Sequence, residues 1–120
     1  SKLLFKLMAN SFVNAKVDLT TTDNTTLYTT PTANVALVKS ILVSNDAGSA
    51  CNITVTLTDA SGNVFSLFKT KSVDSNTTTE LLTQPLVVEE SEILKVQASD
   101  ANELHVIASI LQIQPREVTT

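Results

Sequence analysis

Few residues in this chain have the types needed for chemistry. Cys51 and His105 are the single cysteine and the single histidine. A thiol and an imidazole can pair as nucleophile and base when a third group orients the imidazole. No such third group is identifiable, and each side chain is expected inside or at the start of a strand. One His and one Cys also cannot make a zinc site alone. Glu89, Glu90 and Glu92 form the densest acidic patch. Sugar hydrolysis needs two carboxylates on opposite sides of a bond, about 5–9.5 Å apart. Neighbours on one turn rarely reach that geometry, so the patch reads as a solvated loop between strands. Asp59, Ser61 and Asn63 put oxygen ligands at alternate positions, as a calcium loop does. The fuller ligand set and the distal glutamate are missing, and an Asx-type hairpin turn accounts for the same residues. No G-x-S-x-G elbow is present. Catalytic, cofactor and metal residues are therefore expected to be none.

Composition narrows the function further. The 120 residues suffice for one domain that buries its own core. A lone cysteine allows no intrachain disulfide. Two glycines leave no phosphate-cradling loop. A net charge of −4 argues against nucleic acid, which needs a Lys/Arg surplus. With no Trp and one Tyr, a stacking platform for sugars or bases is improbable. No apolar run approaches the roughly 18 residues of a membrane span. Three sequons, at Asn24, Asn52 and Asn76, are what a chain rich in Asn and Thr produces by chance.

The elements that would position these residues follow a period of two. Ile53, Val55 and Leu57 share one face of Cys51–Asp59, with Asn52, Thr54, Thr56 and Thr58 on the other, the pattern of a half-buried strand. Each of the three apolar side chains should contribute about 1.5–3 kcal/mol on burial. Val35–Ser44 is apolar on both faces: Val35, Leu37, Ile41 and Val43 against Ala36, Val38 and Leu42. Leu104–Ile113 has the same character, with Leu104, Val106, Ala108 and Ile110 against Ile107, Leu111 and Ile113. Such strands are covered on both sides, so an outer sheet face should be buried by an arm or a sister subunit. Further strands are expected at Phe12–Leu19, Thr25–Thr29, Val64–Lys71, Thr77–Thr83 and Ile93–Ala98. Turn signals recur about every ten residues, the rhythm of a sandwich or barrel. The turns at Asn45–Ser49 and Asp59–Asn63 place Gly48 and Gly62 where positive φ is expected. The fold class is all-β: a single antiparallel β-sandwich, jelly-roll or Ig-like, with about seven to eight strands. It divides into an N-terminal arm over 1–11, a sandwich over 12–114 and a polar tail over 115–120.

The start, Ser1 to Met8, is basic and apolar, but Lys6 cuts its apolar stretch below the length of a signal core. Met8-Ala9-Asn10-Ser11 resembles an ordinary translation start. Residues 1–7 then read as an upstream extension, a processing remnant or a cloning scar. Leu3, Leu4, Phe5 and Leu7 are the expected arm anchors, docking on a groove of this domain or a neighbour. Lys39 is the odd charge in an apolar strand; it either snorkels its stem to water or makes an intersubunit ion pair.

One stretch is more specific. Leu27-Tyr28-Thr29-Thr30-Pro31-Thr32 is followed by Ala36-Leu37-Val38-Lys39-Ser40-Ile41-Leu42-Val43-Ser44-Asn45, then Gly48-Ser49-Ala50 and Ile53-Thr54-Val55-Thr56-Leu57. This resembles a module of tailed-bacteriophage virion proteins. The resemblance is strongest over residues 25–60. Val64–Thr83 and Glu92–Ile113 also resemble virion proteins of marine and cyanobacterial phages. Family members often carry Gly just after the Pro turn, where this chain has Ala33 and Asn34, so the turn need not share their geometry. Tyr28 is expected at the core rim with its hydroxyl wet. The resemblance implies a non-enzymatic virion structural protein without cofactors, assembled in the host cytoplasm. Its partners would be other virion proteins (major capsid or tail protein) and copies of itself in a homo-oligomer, with no nucleic acid and no membrane. Capsid decoration or cement is the leading role. A tail, neck or baseplate adaptor is the alternative, and a receptor- or glycan-binding module a more distant one.

Overall fold

The computed structural model describes residues 9–114, and these form nine antiparallel strands in two sheets, with no helix among them. The strands are β1 (Ala9–Leu19), β2 (Thr25–Thr29), β3 (Val35–Asn45), β4 (Cys51–Thr58), β5 (Val64–Val73), β6 (Thr77–Glu80), β7 (Leu86–Val88), β8 (Ile93–Ala98) and β9 (Leu104–Gln114). One sheet runs β1-β9-β3 and ends in β6 and β7, which both pair with β3; the other runs β2-β8-β4-β5. β6 lies along Leu42–Asn45 and β7 along Ala36–Val38, so they are two halves of one interrupted strand. Counted that way the sandwich has eight strands, ordered 1-8-3-6 and 2-7-4-5, which is a jelly roll.

The expected all-β sandwich is present, with corrections in detail. β1 begins at Ala9, three residues ahead of the expected Phe12. The expected Thr77–Thr83 strand stops at Glu80. There Leu81 turns inward to burial, while its N–H still reaches the Ile41 carbonyl. β7, three residues long, was not anticipated.

Core burial follows the alternation except where a bulge breaks it. Ile53 and Val55 of β4 are fully buried and Leu57 packs partly against the core, as the period predicts. In β3 the phase shifts. A bulge between Val38 and Ser40 inserts Lys39 as an extra residue, which flips the alternation. The core side is therefore Ala36, Val38, Ile41 and Val43. Val35 and Leu37 fall on the outward side with Leu42, not with Ile41 and Val43. β9 keeps the expected phase, with Leu104, Val106, Ala108 and Ile110 buried.

Among the described residues two polar side chains are fully buried, and both are bonded. Thr30 donates its hydroxyl to the Val88 carbonyl, 3.1 Å away. Asn45 donates Nδ2 to the carbonyls of Ser49 and Val73, and its Oδ1 accepts from the Ala47 N–H. Asn45 thus holds the β3–β4 turn, and Gly48 there is not at positive φ, contrary to expectation. Gly62 is, at φ 89°. Ala33 takes φ 65° after Pro31, so the conformation glycine favours survives at this turn without the glycine.

Candidate interaction surfaces

The residues with chemical potential are not brought together. Cys51 is buried at the start of β4 in one sheet. His105 points outward from β9 in the other, 3.3 Å from the Asp18 carboxylate on β1. The thiol and the imidazole therefore make no pair. Glu89 to Glu92 form a tight exposed turn, in which the Glu92 carboxylate accepts from the Glu89 N–H at 2.8 Å. The Asp59 carboxylate accepts from the N–H groups of Ser61 and Asn63, both at 2.9 Å, and from the Asn63 amide at 3.2 Å. These bonds, led by the Asn63 N–H, hold its pKa below the ordinary value. The carboxylate is committed to the turn, as an Asx hairpin requires. Cys51, Asp100 and Glu103 do converge, their ligand atoms lying within 4.8 Å of one another. Hydroxyls already occupy this cluster: Ser49 donates to Glu103, Ser99 donates to Asp100, and the Cys51 sulfur lies 3.5 Å from the Ser99 hydroxyl.

The two outward sheet faces differ more than any cleft does. The face of β2-β8-β4-β5 presents Asn52, Thr54, Thr56 and Thr58 beside Lys95 and Gln97, the threonine-lined wet face the alternation predicts. A hollow of about 320 Å³ there is lined by Thr22, Asn52, Thr54, Thr70, Gln97, Ala98 and Ser99.

The face of the β1-β9-β3 sheet is organised in rows across the strands. The cross-strand register aligns Phe12, Leu111, Leu37 and Val87. Beside them stand Asn10, Ile113 and Val35. In the other direction come Asn14, Ser109 and Ser40, then Lys16, Ile107, Leu42 and Glu80, then Asp18, His105, Ser44 and Thr78. Phe12 is 84% exposed and Val87 53%. The Phe12 and Ile113 rows make a contiguous apolar patch, a feature that soluble monomers seldom expose without a use. Sequence reasoning found half of it, the outward residues of β9 and part of β3. Phe12 and Val87 sit on marginal strands, and only the register joins them to the patch.

The expected arm anchors Leu3, Leu4, Phe5 and Leu7 lie outside the described residues. Lys39 is exposed on the β3 bulge, and among the described residues no carboxylate lies within 4.0 Å of it. It lines a shallow hollow of about 270 Å³ with Phe12, Val13, Asn14, Ser109 and Ile110.

Together, the jelly-roll strand order and the two contrasting outer faces define a small β-sandwich with one polar and one largely apolar outer face. No family model matches the chain, and no curated protein matches it. Among solved structures it is similar to a chain in the acid-stable capsid structure of the Helicobacter pylori bacteriophage KHP30. That match has a TM-score of 0.57 and 12% identity, and covers 97% of each chain. A second similarity, to a chain in the structure of the infectious bursal disease virus Gt strain, has a TM-score of 0.46 and 10% identity. It covers 90% of this chain and 32% of that one, and is too low to carry an argument. The shared property is the fold. That likeness reaches the fold and does not support the narrower resemblance to virion proteins of marine and cyanobacterial phages.

Proposed function

We propose that this chain is a non-enzymatic structural protein of a phage virion, a capsid decoration or cement subunit. The observation that carries this reading is end-to-end likeness to a chain of nearly equal length in a phage capsid structure. The site chemistry is compatible: Cys51 and His105 lie in different sheets, and the carboxylates of Asp59 and Glu92 are engaged in turns. The mechanism is adhesion. Modest contacts repeated by symmetry sum to high avidity. The polar Thr/Asn face supplies wet, hydrogen-bonding contacts to the shell, and Leu3, Leu4, Phe5 and Leu7 anchor an N-terminal arm in a groove of the neighbouring subunit.

The test uses purified particles stripped of this protein and the purified full chain. Saturable rebinding at sites set by the shell's symmetry supports the reading. Failure to rebind, with the chain still folded by circular dichroism, contradicts it. A chain lacking residues 1–7 should rebind with reduced occupancy; undiminished occupancy would remove the arm from the account.

A further inference from the structure

Among the described residues, six large apolar side chains are exposed, and Phe12, Leu42, Val87 and Ile107 all stand on the outward face of the β1-β9-β3 sheet. The cross-strand register shows how that face fits a copy of itself. From margin to margin the order is β1, β9, β3, then β6 and β7, so the midline falls between β9 and β3. A two-fold axis along the strands over that midline sets β1 against the second copy's β6/β7 margin and β9 against its β3. Each row then faces itself in reverse. Leu111 meets the second copy's Leu37, Ile107 its Leu42, Ile113 its Val35, Phe12 its Val87 and Ser109 its Ser40. Lys16 meets Glu80, once on each side of the axis. In these rows apolar groups fall on apolar groups, hydroxyl on hydroxyl, and cation on anion; the last row lays Asp18 on Thr78 and His105 on Ser44, with Asp18 and His105 3.3 Å apart within each copy. An axis across the strands over the Ser109 row still lays Leu111 on Ile107 and Leu37 on Leu42, but it puts Phe12 on Lys16 and Val87 on Glu80; one over the Phe12 row lays Ile113 and Val35 on Ser109 and Ser40 and sets no Glu80 opposite Lys16.

We propose that this face binds a second copy of the chain, as a face-to-face dimer with its two-fold axis along the strands and reciprocal Lys16–Glu80 ion pairs flanking an apolar centre. Such an interface is isologous: one patch serves both subunits. Stacked sheets lie about 10 Å apart with strands crossing near 30°. The pairs nearest the axis, Leu111 with Leu37 and Ile107 with Leu42, tolerate that crossing. At the margins the long lysine stem takes up the displacement.

Lys39 is the charge this dimer must accommodate, because an unpaired charge in an interface is costly. The hollow it lines is formed otherwise by β1 and β9, so it opens from β3 toward the β1 margin. The second copy's Glu80 arrives at that margin and meets both lysines. Glu80 is fixed for the role. Its carboxylate accepts from the Ser40 hydroxyl and from the N–H groups of Ile41 (2.8 Å) and Leu82 (3.1 Å). Those bonds fix the carboxylate in place, and its exposure leaves its charge open to an arriving lysine.

The pairing is a property of the isolated chain and is tested without particles, so its failure leaves the shell reading untouched. The full chain is run by sedimentation velocity over about 1–100 µM, a span that resolves micromolar dimers. The wild type should sediment as a dimer. Lys16→Glu should weaken it at least about tenfold, and adding Glu80→Gln should restore most of the loss by removing the new repulsion. Phe12→Glu, at an exposed position, should give a folded monomer. Wild type that stays monomeric overturns the proposal, as do Lys16→Glu and Phe12→Glu proteins that dimerise like wild type. A monomer whose face binds a hydrophobic dye only after deletion of residues 1–8 would assign the face to the N-terminal segment. A monomer whose Phe12→Glu variant loses particle binding would assign it to the shell. Either result also overturns the proposal.

Discussion

Tyr28 on β2 donates its phenolic hydroxyl to Oε1 of Gln112 on β9, 2.5 Å away, and so ties one sheet of the sandwich to the other. The hydroxyl was expected in water; instead the tyrosine is buried and its polar end is bonded. Burial pushes its pKa above the ordinary value, and the neighbouring Thr30 only partly offsets this. A raised folded-state pKa means the contribution is intact below the unfolded value near 10 and is lost as pH rises through the folded value. Tyr28→Phe should cost about 1 kcal/mol, or roughly 4 °C in Tm, and should flatten the alkaline loss of stability. Thermal melts across the alkaline range check this. Because Tyr28 is the only tyrosine, phenolate absorbance reports its ionisation directly.

Glu80 titrates on the acid side. Burial raises its pKa, but the donors Ser40, Ile41, Leu82 and Leu81 outweigh burial and hold it below the ordinary range. A depressed folded pKa gives stability that is present above the unfolded value near 4.5 and lost as pH falls through the folded value. Glu80→Ala should cost about 1 kcal/mol at neutral pH, the low end for a charged hydrogen bond because the group is exposed and screened. The difference from wild type should shrink as the medium is acidified. A difference independent of pH would show that the bonds to the carboxylate do not carry it.

Ala33 holds a left-handed backbone, φ 65°, at the turn after Pro31. That costs an L-residue about 1–2 kcal/mol, against about 0.4–1 kcal/mol of unfolded-chain entropy gained by glycine. Ala33→Gly should therefore stabilise the domain by about 0.5 kcal/mol, or roughly 2 °C in Tm. A lower Tm would contradict the turn geometry.

Much of this fold is legible in the sequence, and the exceptions share a cause. β4 and β9 alternate cleanly because the irregularities in their pairings put the extra residues on the partner strands, β5 and β3. β3 does not, because a bulge leaves no mark in a string of residue types; counting by two across Lys39 puts Ile41 and Val43 on the wrong face. Leu86–Val88 is too short, and too close to Pro85, to read as a strand. The strained turn hides because alanine stands where glycine would announce it. The candidate surface was half legible: two strands apolar on both faces require a cover. That Phe12 and Val87 belong to the same surface is long-range information, set by cross-strand pairing.

Val55 sits at the centre of the second sheet, between β5 and β8, with no exposure. Val55→Asp buries an unpaired carboxylate, a cost of several kcal/mol against a typical total of about 5–15 kcal/mol. The variant should lose its cooperative melt by circular dichroism. A native melt would contradict the strand's placement in the core.

The virion role is tested most directly by the copy number of this chain on purified particles, measured by quantitative mass spectrometry against the major shell protein. The account predicts hundreds of copies, in a ratio to the shell protein fixed by shell symmetry. Absence from particles would contradict a virion role altogether, and a count of a dozen or fewer would contradict decoration and move the protein to the tail or neck.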